Sequence, residues 1–223
     1  LMTGRMELPA ESGRAATVRM TRSVARVDLV SEERGVEVRS VSIRPIADRG
    51  YLFAQEHPAV PADAPRIQTI IRQAQARMHA AGSRQWQDGY PAPGHISADI
   101  GRNRGYVLCK PGVEGPLSVI AYGAVVFDGE PAYDAIDGQW LTDEPYVLVH
   151  RIAVADGERG RGVAAEFLHR VETLAQERGV KAFRIDTNFD NQTMLRLLER
   201  TGFTYCGKVV YRSGERLAYE KRI

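Results

Sequence analysis

An adjacent polar pair, His150 and Arg151, interrupts an otherwise apolar run of Val147, Leu148, Val149, Ile152 and Val154, and a turn rich in Gly and Arg follows directly. Gly157, Gly160 and Gly162 stand in that turn beside Arg159 and Arg161. Glycine lets backbone approach a ligand closely. A helix opening there would add unpaired amides at the positive end of its dipole. Together these make an anion site suited to a pyrophosphate. A lone Gly-Arg turn would be read as a flexible connection with solvated arginines. Three closely spaced glycines, entered through a polar pair in an apolar strand, favour the anion site.

The elements that must position these residues follow from periodicity. Tyr146 to Val154 reads as a strand. Val163, Ala164, Phe167, Leu168, Val171, Leu174 and Ala175 then share one face of a helix that Gly179 ends. Lys181 to Thr187 is the next strand, so strand, helix and strand form a βαβ-like unit with the Gly turn at the carboxyl end of its first strand. Ligands of open α/β sheets tend to sit at such ends. TNFDN, residues 187–191, caps a second helix with Met194, Leu195, Leu197 and Leu198 on its apolar side. Phe203 to Val210 and Arg216 to Lys221 form a closing hairpin.

Upstream, Val41 to Ile46 alternates as a strand, and Ala47 to Asp63 reads as a long connection. Asp63 is expected to cap a helix reaching about Ala81, with Pro65 in its first turn and Ile67, Ile70, Ile71, Ala74 and Met78 recurring at helical spacing. The loop at residues 83–96 carries Trp86 and Tyr90, which either wall a substrate pocket or plug the edge of the core. A short helix near Ile96 to Ile100 precedes two antiparallel strands, Gly105 to Lys110 and Leu117 to Phe127. Residues 128–145 read as loop. Residues 1–40 show no sustained period and are expected to be a loosely ordered extension, owed in part to where translation was taken to start; residues 41–223 then make one domain.

Composition narrows the partners. At 223 residues and 43% hydrophobic the chain can bury one ample core, and a net charge of +2 gives no argument for nucleic acid. No apolar run is long enough for a membrane span or a signal segment. Cys109 and Cys206 have no metal-ligand spacing, which fits free thiols in a reducing, cytoplasmic compartment, and no metal is expected.

Spacing then sorts the owners of a Gly-rich turn. The Gly-Lys-Ser/Thr ending of a nucleotide-triphosphate loop is absent after Gly162. A dinucleotide fold is disfavoured by the polar strand and by a sheet that looks mixed. What fits is Arg159-x-x-Gly162-x-Ala164 after an IAV strand end. This resembles the acetyl-CoA motif of the GNAT superfamily of N-acyltransferases, Gln/Arg-x-x-Gly-x-Gly/Ala. HRIAV, RIDTNFDN, Gly202-Phe203, RLAYEK and the upstream QWQDGYP extend the resemblance over roughly residues 41–223.

The resemblance implies an α/β (α+β) fold with a mixed, splayed central sheet flanked by helices. It implies an N-acetyltransferase moving an acetyl group from acetyl-CoA to a primary amine, a small molecule or a peptide, with homodimerisation left open. The pyrophosphate would meet Arg159, Gly160, Arg161, Gly162, Val163 and Ala164. The pantetheine arm would lie along Ile152, Ala153 and Val154, and Asn191 joins the cofactor set. Trp86 and Tyr90 are the candidate acceptor-site residues. His150 is the leading base; by alternation it shares a face with Val154, and its alternative is a buried histidine that positions the strand. Asp186 is a second catalytic candidate, or else a structural carboxylate. Two departures stand out. Leu198 occupies the position where many members carry the tyrosine that protonates the leaving thiolate, with Tyr205 or Cys206 as substitutes, and the 47–63 connection is long for the family. Leu198 motivates an alternative, a catalytically weak acyl-CoA-binding or sensor module. A further rival is a regulatory domain that binds nucleotide phosphates through the same turn.

Overall fold

The computed structural model describes residues 55–110 and 118–223. The 1–40 extension and the strand expected at 41–46 lie outside the described residues. Four helices and eight strands follow in the order β1 (Gln55–Pro58), α1 (Ala64–Ala80), α2 (Pro93–Gly101), β2 (Gly105–Lys110), β3 (Ser118–Val126), β4 (Asp137–Gly138), β5 (Tyr146–Val154), α3 (Val163–Glu177), β6 (Ala182–Thr187), α4 (Gln192–Arg200), β7 (Thr204–Tyr211) and β8 (Gly214–Arg222). The strands make one mixed sheet in the order β1-β2-β3-β5-β6-β8-β7-β4. Among the described residues no helix is long and apolar enough to cross a membrane.

Two local expectations are corrected. Residues 47–63 are not all connection, because β1 pairs antiparallel with β2. Pro58 is tolerated at its end because β1 is the outermost strand of the described sheet, where no donor is needed on the outer side. Asp63 stands at the N-cap of α1 as expected, but its side chain does not bond the helix amides; its carboxylate accepts the Val60 amide at 2.9 Å and closes a 3-10 turn over Pro61–Asp63 instead. The apolar stripe of α1 behaves as its spacing predicts, with Ile67, Ile70, Ile71 and Ala74 buried. They join Ile96 of α2, Val107 and Cys109 of β2, Tyr122 of β3 and Ala153 of β5 in a core on one sheet face. α3 covers the other face, where a Cβ on Gly123 would meet the Phe167 ring at 2.7 Å.

The parallel pairing of β5 with β6 is short: Tyr146, Val147 and Leu148 match Ala182, Phe183 and Arg184. β5 continues to Val154 and β6 to Thr187 without further pairing between them, so the sheet splays at their carboxyl ends.

On its other side β5 carries a bulge. Tyr122 pairs with Ala153 and Ala124 with His150, so Arg151 and Ile152 together oppose Gly123. Arg151 takes φ +58° there. Directly opposed residues share a face, and Tyr122 and Ala124 are two apart in β3. His150 therefore shares its face with Ala153, and Val154, opposite Ala121, points the other way. The expected His150–Val154 alignment is corrected: the extra residue reverses the alternation.

Candidate active site

His150 is half-buried on β5 between two carboxylates from separate elements. Its Nε2 lies 3.0 Å from Glu130 Oε2, and its Nδ1 lies 3.9 Å from Asp186 Oδ2. Glu130 opens the 3-10 turn Pro131–Tyr133, accepts the Ala132 amide on Oε1 and donates its own amide to the Tyr146 hydroxyl. An ionised carboxylate only accepts, so in the neutral imidazole Nε2–H donates to Glu130 and the lone pair sits on Nδ1. The hydrogen bond from His150 holds the Glu130 carboxyl below its ordinary value; burial opposes this, and the Ala132 amide assists.

Asp186, at the splayed end of β6, accepts the Tyr133 hydroxyl at 2.8 Å and the Tyr211 hydroxyl at 3.0 Å on the same Oδ2. Burial first, then the Asp186 charge, pushes both phenols far up, so both remain protonated donors. Tyr133 also walls an open cleft of about 470 Å³ with Trp140, Tyr146 and Arg184. The Arg184 guanidinium already covers the Trp140 and Tyr146 rings at 4.3 and 4.1 Å.

Beside His150, Arg151 reaches away from β5. Its Nε and one terminal nitrogen grip the Asp99 carboxylate of α2 at 2.9 and 2.6 Å, and the other terminal nitrogen donates to the Tyr90 hydroxyl at 2.6 Å. Tyr122 donates to the same Asp99 at 2.6 Å. The two loop aromatics thus divide. Tyr90 reaches the site, its phenol raised by burial against the lowering effect of Arg151. Trp86 packs against the α1-side core and meets Tyr90 edge to face at 6.4 Å.

At the end of β5, a 3-10 turn over Asp156–Glu158 leads into Gly160 (φ +73°) and Gly162 (φ +82°), the residue before α3. No side chain caps α3, and a Cβ at Gly157, Gly160 or Gly162 would meet nothing within 4 Å. The glycines of the turn therefore face open space, and no side chain takes up the first amides of α3. Arg159 and Arg161 are exposed there. α1 braces the turn from behind, with Arg77 paired to Asp156 and donating to the Val154 carbonyl. Buried Glu158 pairs with Lys110 and lies 3.5 Å from Arg161.

The remaining sequence-selected residues separate by position. Ile152, Ala153 and Val154 form the β5 segment beyond its pairing with β6. Asn191 caps α4 through its carbonyl oxygen and donates its amide to Gln85 at 2.9 Å, so both ends of its side chain are engaged. Leu198 is fully buried. Tyr205 stands opposite Tyr219, itself opposite Ile185, which places it on the sheet face away from Asp186. Cys206 lies near Glu220 and Arg184. Glu130, Asp99, Tyr133 and Tyr211 were not marked by sequence reasoning. The polar His150-Arg151 pair was the available signal, since two such groups in an apolar strand require partners.

The profile of the acetyltransferase (GNAT) family matches residues 71–203. Among solved structures, a GNAT-family acetyltransferase from Streptococcus agalactiae 2603 is 36% identical, with 79% of this chain and 99% of that one covered and a TM-score of 0.69. A GNAT-family acetyltransferase from Listeria monocytogenes 4b F2365 is 20% identical over 76% and 95% of the two chains, with a TM-score of 0.60. The ribosomal-protein-S18-alanine N-acetyltransferase from Escherichia coli, 15% identical, covers 77% and 94% at a TM-score of 0.53 and shares the fold. No curated protein matches the sequence.

Proposed function

The chain belongs to the acetyltransferase (GNAT) family, and from that membership we propose that it moves an acetyl group from acetyl-CoA to a primary amine by direct attack. The observation that carries this reading is the coincidence, along one strand, of three features: the β5–β6 opening, the Gly turn with open φ-positive positions beyond it, and the His150–Glu130 pair before it. Acetyl-CoA supplies the activated thioester. The turn from Arg159 to Ala164 would hold its pyrophosphate through backbone amides and two exposed guanidinium groups. The β5 edge from Ile152 to Val154, which β6 leaves unpaired, would hydrogen-bond its extended arm. A backbone amide aimed at the thioester oxygen is worth about 3 kcal/mol in comparable sites.

An ammonium cannot attack, so the acceptor must lose a proton. His150 Nδ1 takes it, with Glu130 fixing the tautomer and stabilising the imidazolium that forms; the free amine then bonds to the thioester carbonyl carbon, the C–S bond breaks, and the leaving CoA thiolate takes up the second amine proton through solvent. Asp186, anchored by Tyr133 and Tyr211, faces the same space and attracts the cationic amine before it is deprotonated. Tyr90 lines the acceptor side. The acceptor is a small-molecule or peptide amine. The transferase domain is taken as residues 41–223, and two free, buried cysteines support a cytoplasmic setting.

Leu198, fully buried at the usual acid position, favours a second reading, an acyl-CoA-binding module with weak turnover. Calorimetric titration with acetyl-CoA, paired with thiol release across an amine panel, separates the two. Turnover with at least one amine is expected, and binding without turnover supports the sensor. His150→Gln is expected to lower kcat by roughly 100-fold or more and leave acetyl-CoA affinity within about threefold. Unchanged kcat removes His150 as the base.

A further inference from the structure

Arg151 occupies a backbone conformation that a side chain with a Cβ rarely adopts, φ +58° in the middle of a strand. Such a residue persists only where its surroundings over-determine it. Here they do so through the guanidinium. Two of its nitrogens grip Asp99 in a fork and the third binds Tyr90, while Tyr122 satisfies the same carboxylate. Asp99 and Tyr122 are buried, at 5% and 0% exposure, so the fork is anchored in the core between α2 and the sheet. The bulge it holds turns His150 onto the face of Ala153 and separates the β5 backbone from regular pairing at Gly123.

We infer that Arg151 is a positioning residue: Asp99 and Tyr90 hold its guanidinium so that the β5 bulge stays formed, and the bulge aims the His150 imidazole and the Ile152–Val154 backbone. The kinetic consequence rests on the acetyl-transfer reading, whereas the structural consequence does not. A pair that merely stapled α2 to the sheet would lower Tm and leave the folded enzyme's kcat and local exchange unchanged.

Arg151→Gly separates these roles, because glycine accepts the positive φ while the guanidinium is lost. Arg151→Lys keeps the charge but cannot span both partners with a planar fork. Tyr90→Phe removes one contact and leaves the buried pair, which guards against misfolding of the first two. Amide hydrogen exchange over residues 150–154, the NMR titration of the His150 ring, kcat and acetyl-CoA Kd are measured for each, beside the core variant Ile71→Val as a control for lost stability. Both Arg151 variants are expected to exchange at Ile152 and Ala153 about 10-fold faster than the control. They are also expected to shift the His150 titration and to lose about 10-fold in kcat, with Kd within about threefold. Tyr90→Phe is expected to show the same changes at about threefold. Exchange, titration and kcat no different from the control would overturn the inference. Faster exchange in Arg151→Gly, together with a wild-type protein inert toward every amine, would sustain it and defeat the transfer reading instead.

Discussion

A 3.0 Å hydrogen bond joins Glu130 to His150, and that bond is the main reason the Glu130 carboxyl lies below its ordinary value. A carboxyl whose folded value is depressed contributes stability above its unfolded pKa, and that contribution is lost as pH falls through the folded value. Glu130→Gln, which has no carboxylate to lose, should therefore melt below wild type near pH 7. The gap should close as pH drops below the ordinary carboxyl range, about 4.3. Thermal melts of both proteins between about pH 7 and pH 3 test this; a gap independent of pH would mean the carboxylate charge contributes nothing. His150 was legible in the sequence because an imidazole breaks an apolar strand. Glu130 was not, because a loop carboxylate before Pro131 has no periodicity to tie it to a strand that follows much later in the chain. Asp186 was legible only as one of two possibilities, and its two phenol partners come from a loop and from β7.

At the scale of elements, β5 and α3 meet through a glycine. Gly123 opposes the bulge, and on its far side Phe167 lies so close that a Cβ would fall 2.7 Å from two ring carbons and 3.2 Å from Val149. Phe167 is itself buried at 2% exposure and cannot swing clear. Gly123→Ala should therefore cost about 1–3 kcal/mol through overpacking, read as a lower urea midpoint with an unchanged m-value. A change within about 0.5 kcal/mol would show that α3 shifts freely over the sheet. Most elements could be read from period and punctuation: the α3 stripe, the β7–β8 hairpin and the parallel step from β5 to β6 all fall where apolar spacing and glycines put them. The bulge could not. Its left-handed residue is an arginine, and only the tertiary fork to Asp99 explains why neither Gly nor Asn is needed there. β1 was missed for a related reason, since Pro58 argues against a strand until its place on the edge of the described sheet is known.

Over the described sheet as a whole, β1-β2-β3-β5 and β6-β8-β7-β4 meet through three paired residues at one end and diverge at the other. Side chains reach across near the opening, with Tyr133 and His150 approaching Asp186 and Arg151 drawing in Tyr90, but the β5 backbone beyond Leu148 has no ladder partner in β6. A ligand that bonds this edge and the amides before α3 replaces the missing partner in the folded state alone. Mass action then stabilises the fold by about 2.7 kcal/mol at 100 times Kd. For a domain of this size that corresponds to a rise in Tm of roughly 5–10 °C, and the rise should grow with the logarithm of ligand concentration. Acetyl-CoA and CoA share the pyrophosphate and the arm, so both should produce it. ATP and NAD lack the arm and should produce little of it. An equal shift from ATP would transfer the site to phosphate recognition by the turn alone. No shift from either CoA species would mean that the opening between β5 and β6 does not receive the arm.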